Sequence, residues 1–250
     1  MNRLHRWVMM AISLTLLCPA LSAHGVVVAY NTYQTPPFVL NDGQQGLAAD
    51  LVSYLNQRLA GQYFFELQNV PRTRLLNGVL SRPAFNGVVL FLSPRYVDDL
   101  EQTHYHWSPP FMEDGGVFVF RTSQPASQTR LETLAGLRFG GVVGHHYPSL
   151  EARLGRDLQR IDARSEQVNL QNVQLGRIDF TLLAESTFLF FSHTENFDQL
   201  QKVDSPEGRF GRHFLVSLRS YKLGMALDRV ARSMPQDPVW KAILVKYHLN

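Results

Sequence analysis

Val70-Pro71-Arg72-Thr73-Arg74 places two guanidinium groups at a predicted strand-to-helix turn. A planar guanidinium can fork onto a carboxylate or phosphate, so one of the pair is expected to partner an anion. Arg74 is the preferred one, with Arg72 a solvated surface charge. Tyr33 and Phe38 flank a Pro-containing loop, Tyr33-Gln34-Thr35-Pro36-Pro37-Phe38, and could stack on a bound molecule. His145 and His146 are adjacent, so a regular element cannot aim both at one metal ion. His104 and His106 precede Trp107 at a spacing that suits one face of an extended segment. No Gly-x-Ser-x-Gly, Gly-x-x-x-x-Gly-Lys-Ser/Thr or His-Glu-x-x-His occurs, so the common hydrolase, NTPase and zinc-protease signatures are missing. No metal and no cofactor is expected.

The N-terminus sets the compartment. Arg3 and Arg6 precede an apolar run over residues 7–17, and then come Cys18, Pro19 and Ala20-Leu21-Ser22-Ala23. This order reads as a secretory signal peptide, residues 1–23, cleaved after Ala23. The run is too short for the roughly 20 residues of a membrane-spanning helix. Leu17 before Cys18 makes a poor lipidation site. Once the leader is removed no cysteine remains, which excludes disulfides, thiol chemistry and cysteine metal sites. The 24 basic and 21 acidic residues, less Arg3 and Arg6, leave a mature chain near +1. Such balance argues against nucleic acid, which calls for a concentrated basic face.

The elements that must position these residues alternate. Val26-Val27-Val28-Ala29-Tyr30 is an apolar, β-branched strand. Leu47, Leu51, Leu55 and Leu59 form one helical stripe, with Gly61 as its stop. Residues 63–67 read as a strand, 72–80 as a short helix, and 87–92 as a strand with no polar face, as expected for a parallel strand covered on both sides. The alternation predicts a parallel sheet wrapped by helices. It then restarts, with strands at 117–120, 137–143 and 178–184 and a helix face at Leu150, Leu154 and Leu158. Residues 188–191 fit a strand or a buried helix. Residues 213–218 read as a strand; Leu223, Leu227, Val230, Ala231 and Met234 then mark an amphipathic helix, and Trp240 to Tyr247 a last short one. Two α/β units suggest two lobes, with ligand loops beyond the carboxyl ends of the strands at residues 32–38, 92–96 and 144–147.

The loop at 33–38 followed by Gly46-Leu47-Ala48-Ala49-Asp50-Leu51 resembles the opening of family 3 extracellular solute-binding proteins. The resemblance continues through Leu92-Ser93-Pro94-Arg95, Trp107-Ser108-Pro109-Pro110-Phe111, residues 134–142, Gly176-Arg177-Ile178-Asp179 and Lys246-Tyr247. It implies an α/β, two-lobed, type II periplasmic-binding-protein fold. Each lobe would be a mainly parallel sheet flanked by helices, with two hinge crossings. Lobe 1 would comprise residues 24–112 plus 210–250, and lobe 2 residues 113–209. It also implies a periplasmic monomer that is not an enzyme. Such a protein would capture a small polar ligand, an amino acid or related compound, for an inner-membrane ABC permease. The alternatives are a signalling receptor docking on a membrane sensor, or an enzyme similar to cyclohexadienyl dehydratases.

By the same resemblance Ser93 and Arg95 lie in the ligand loop, and a family Arg for the ligand carboxylate aligns with Tyr96. Either Arg95 takes that role from a shifted loop or no carboxylate is bound in that manner. His145, His146 and Tyr147 stand where lobe 2 offers backbone N–H groups, and Glu185 where a carboxylate often meets the ligand's ammonium. Asp50 reads as a helix-start residue.

Overall fold

The computed structural model describes residues 25–82, 84–124 and 130–249. The expected leader, with Cys18 and its cleavage site after Ala23, lies outside the described residues. In chain order the elements are β1 (Val26–Asn31), α1 (Leu47–Arg58), β2 (Phe64–Asn69) and α2 (Arg72–Arg74), which continues as a π-helical turn over Leu75–Leu80. Then follow β3 (Val88–Leu92), β4 (Tyr105–Trp107), β5 (Met112–Arg121), β6 (Arg138–Val142), α3 (Pro148–Leu154), β7 (Gln159–Ala163) and α4 (Glu166–Gln174). The chain closes with β8 (Phe180–Ala184), α5 (Glu185–Thr194), β9 (Leu200–Ser217), α6 (Tyr221–Ser233) and α7 (Pro238–Lys246).

The strands join in the order β2-β1-β3-β9-β5-β8-β6-β7, with β4 also on β9. At each end of this path the pairs are parallel, β1 with β2 and β3, and β6 with β7 and β8. In the middle β9 runs antiparallel to β3, β4 and β5, and β5 antiparallel to β8. The first parallel unit is the one the βαβ alternation predicts; in the second, the unpredicted β7 pairs parallel with β6, while the expected strand at 117–120 runs antiparallel to β8. β9 belongs to both, and β5 and β9 lie side by side where the chain passes between them. Val117 to Phe120 is one stretch of the longer β5, and the predicted strand at 213–218 is the end of the long β9.

The β1–β3 half is built on α1. Its leucine stripe is buried, with Leu47, Leu51 and Leu55 fully inaccessible, and each such side chain contributes about 1.5–3 kcal/mol by leaving water. The first N–H groups of α1 have no partner inside the helix. Here Leu47 N donates to Pro37 O (2.8 Å) and Ala48 N to Phe38 O (3.1 Å), so the loop after β1 caps the helix. Gly46 permits the approach: its φ is 122°, and a Cβ would lie 2.5 Å from Phe38 O. Asp50 lies in the first turn of α1 without capping it, and its carboxylate accepts from Lys246 Nζ (2.6 Å) and Tyr247 Oη (2.9 Å), tying the C-terminal helix down. Leu223, Leu227, Val230 and Ala231 of α6 and Trp240 of α7 complete this core.

In the β5–β8 half, Val117 and Val119 pack one face with Leu170, Val173, Phe188 and Phe191, while Phe118 and Phe120 pack the other with Phe139 and Phe180. Residues 188–191 are helical, inside α5. The predicted helix face at Leu158 fails: α3 ends at Leu154, Gly155 turns the chain at φ 50°, and Leu158 leads into β7 in extended form. Among the described residues no helix is long and apolar enough to cross a membrane.

Candidate functional site

A buried ion pair sits where β5 and β9 pass between the two halves. Met112 to Gly115 pair with Arg212 to Arg209, and Arg212 donates from Nε to Asp114 Oδ2 at 2.8 Å, with Nη2 on the same oxygen. Both side chains are 1% exposed. Asp114 also accepts from its neighbour Gly115 N (2.8 Å) and from Ser186 N (3.1 Å) and Oγ (2.7 Å) at the start of α5. Burial alone would raise the Asp114 pKa, but the Arg212 charge and these donors hold it below the usual carboxylate range. Arg212 Nη1 donates to Phe91 O at 3.0 Å. Phe91 has φ 60° at a register shift in the β3–β9 pairing. This left-handed conformation costs a bulky residue about 1–2 kcal/mol, and it occurs at the residue whose carbonyl takes the guanidinium.

Three rings surround that guanidinium: Tyr33 at 4.4 Å, Phe38 at 4.7 Å and Phe210 at 5.3 Å from centroid to Cζ. Tyr33 and Phe38 lie 4.8 Å apart, and Phe38 meets Phe91 edge-on at 5.0 Å. Phe38 is therefore a core ring that also faces a cation, and Tyr33 is half-buried above it. The buried Tyr33 and Thr32 hydroxyls make no hydrogen bond of ordinary geometry.

At the end of β3, Ser93 is buried and begins the turn Pro94–Val97. Arg95 is half-buried and lies over the Phe210 ring at 5.0 Å, with hydrogen bonds to Glu207 O (3.2 Å) and Arg209 O (3.5 Å). Tyr96 meets Phe210 edge-on at 5.2 Å. Its hydroxyl pKa is pushed up by burial and by Tyr33, against the opposing charges of Arg212 and Arg95. Arg74 is exposed, with no hydrogen bond or ion pair among the described residues. Its neighbour Arg72 lies over the Tyr96 ring at 5.4 Å and donates to Tyr96 O.

On the other half, residues 144–147 are braced by Arg160, which donates to Val142 O (3.2 Å) and His145 O (2.8 Å) while paired with Glu151 and Asp162. Tyr147 accepts from Val142 N (3.0 Å), and its ring packs edge-on against Phe139; burial raises its pKa to about 12. His146 points to solvent, 86% exposed. His145 is exposed along the loop; its surroundings, then the charges of Arg160 and Arg72, lower its pKa.

Glu185, at the first position of α5, accepts from Lys202 Nζ at 2.7 Å and from Arg209 Nη1. Burial would raise its pKa, but these two cations hold it below the usual range. Both of its oxygens are thus engaged by β9. Glu166, at the start of α4, has no cationic partner among the described residues, and burial pushes its pKa up.

Sequence reasoning missed Arg212, Asp114 and Glu166, and it preferred Arg74 to Arg72. Asp114 and Arg212 lie in strands that carry other charges, so no local pattern singles them out. Two cavities lie off this centre. One of about 360 Å³ is bounded by Arg95, Asp99 and His104, and one of about 580 Å³ lies at the amino end of β1 near Gly25, Tyr63 and Tyr221. Among the described residues no group of three or more metal-ligating side chains converges.

No protein-family model and no curated protein matches the chain by sequence. Solved structures do match in three dimensions. An ancestral arginine-binding protein bound to arginine aligns with TM-score 0.65 at 16% identity, over 90% of this chain and 98% of its own. The L-cystine solute receptor of Neisseria gonorrhoeae, unliganded and open, aligns with TM-score 0.62 at 15% identity, over 91% and 94%. The periplasmic domain of BvgS from B. pertussis aligns with TM-score 0.69 at 18% identity, over 90% of this chain and 43% of that one. With its two parallel units joined through β5 and β9, the chain has the type II periplasmic-binding-protein fold.

Proposed function

We propose that this chain is a periplasmic solute-binding protein that closes its two halves on a small polar solute. Residues 24–112 with 210–250 form one lobe and residues 113–209 the other, and the β5–β9 crossing is the hinge. The observation that supports this reading is the cluster of Arg72, Arg95, Tyr96 and Tyr33 at strand-end loops beside the crossing where β5 and β9 join the two parallel units. Tyr33, Tyr96, Arg72 and Arg95 supply the first wall, and residues 144–147 the second. Phe38 and Ser93 support the first wall from beneath, and Glu185 holds the hinge side of the second. The fold shared with arginine- and cystine-binding proteins supports a solute of amino-acid size. The pattern of residues 1–23 supports export through a cleaved leader, and the monomer would deliver its solute to an ABC permease or present it to a membrane sensor.

The test combines a thermal-shift screen of the secreted protein with small-angle scattering. A solute bound only by the folded state raises Tm, and closure makes the protein more compact. One site per chain and a smaller radius of gyration are expected. Steady conversion of the bound solute into product would replace this reading with an enzymatic one.

A further inference from the structure

Three carboxyl groups beside the proposed cleft are already committed, while Glu207, whose carbonyl takes Arg95, is exposed to solvent. Asp114 is paired with Arg212, Glu185 with Lys202 and Arg209, and Asp162 with Arg160. Glu166 has no cationic partner among the described residues, and burial raises its pKa. The cations of the first wall are in the opposite position. Arg72 and Arg95 have no carboxylate partner among the described residues and bond only to backbone carbonyls. Few of the five N–H donors on each guanidinium are used.

These cations converge. Arg72 lies over Tyr96, Arg95 over Phe210, and Arg212 against Phe210 and Tyr33, while Tyr96 and Phe210 touch. The aromatic faces that a cationic solute would seek are occupied on one side by Arg212 itself. We infer that the solute is a small dicarboxylate-class anion, with or without an amino group, held beside Tyr96 by Arg72 and Arg95, and that cationic solutes are excluded. This inference rests on the solute-binding reading above.

The test uses succinate, L-glutamate, L-arginine and L-lysine as probes on the purified secreted protein, by thermal shift and calorimetry. Succinate or L-glutamate should raise Tm by about 5 °C or more near saturation, and neither cationic amino acid should shift it. Arg72→Gln and Arg95→Gln should each weaken the acidic probe about tenfold or more, leave Tm of the unliganded protein unchanged, and flatten the salt dependence of binding. Tighter binding of L-arginine or L-lysine would overturn the anionic class while leaving the solute-binding reading in place. Acidic-probe affinity unchanged in both variants would overturn the assigned contacts. A protein that binds no probe here, and no solute in the wider screen, would lose both readings.

Discussion

Arg209 and Arg212 leave the same strand three residues apart, yet their carboxylate partners live in different surroundings. Asp114 and Arg212 are each 1% exposed, whereas the Arg209 side chain is 53% exposed above a Glu185 that is 11% exposed. The first pair has no water to fall back on. Its worth lies in fixing where β5, β9, Phe91 and the start of α5 meet, and removing either partner strands the other in a low dielectric. The second pair is screened on the Arg209 side, so Arg209 can exchange it for water while Glu185 keeps Lys202. Two contacts that look alike in a list of ion pairs therefore differ in kind: one sets the geometry of the crossing, and the other adjusts it.

The largest effect should come from Asp114→Asn. It leaves Arg212 buried without its counter-charge, and a loss of about 3–5 kcal/mol is expected in urea unfolding. Replacing both partners by leucine should recover part of that loss; a single variant within 1 kcal/mol of the parent would erase the contrast. Glu185→Gln should cost about 1 kcal/mol or less, because Arg209 is half exposed. Its pH signature is the sharper test. The Glu185 carboxyl has a lowered folded pKa, so its stabilisation is present above the ordinary Glu value and is lost as pH falls through the folded one. The variant should lack that portion of the acid loss, and an unchanged acid limb would remove Glu185 from the comparison. The smallest effect belongs to Glu166→Gln. Glu166 has a raised folded pKa, so the parent loses stability as pH climbs past the ordinary Glu value, roughly 4.3. The variant should melt slightly above the parent at pH 7, with the two curves converging near pH 4. A variant that melts lower at pH 7 would mean that Glu166 is charged and paired.

Much of the architecture was legible in the sequence because parallel strands covered on both faces leave unbroken apolar runs, as Val88–Leu92 does, and because α1 carries a full stripe. What escaped notice had no such periodic signature. β7, Gln159-Arg160-Ile161-Asp162-Ala163, is a sheet-end strand paired on one side by β6, with charges where an inner strand would be apolar. α4 buries Asn169 beside Leu170 and Val173, so its apolar face is narrow. The first half of β9 alternates Lys202, Asp204 and Glu207 with less polar neighbours and reads as loop. For the site, the loops were found from strand ends, but the direction of an arginine was not. Arg72 rather than Arg74 reaches Tyr96, since the two-residue step between them on a helical turn swings the side chain by about 200°. The Asp114–Arg212 pair spans 98 residues, and no local pattern announces such a partnership.

β9 also contains a break. Leu200 to Asp204 pair with Arg121 to Val117, and Arg209 to Arg212 with Gly115 to Met112, so no residue of β5 pairs with residues 205–208. Gly116 faces this break, and a Cβ there would come within 2.8 Å of Ser205 Oγ. The two ladders are therefore out of step, and neither dictates the register of the other. In mechanical terms the strand is two stiff rods joined by a short slack link. A twist confined to that link breaks no β5–β9 pairing, and chain length can change there without turning a single side chain of either ladder onto the wrong face.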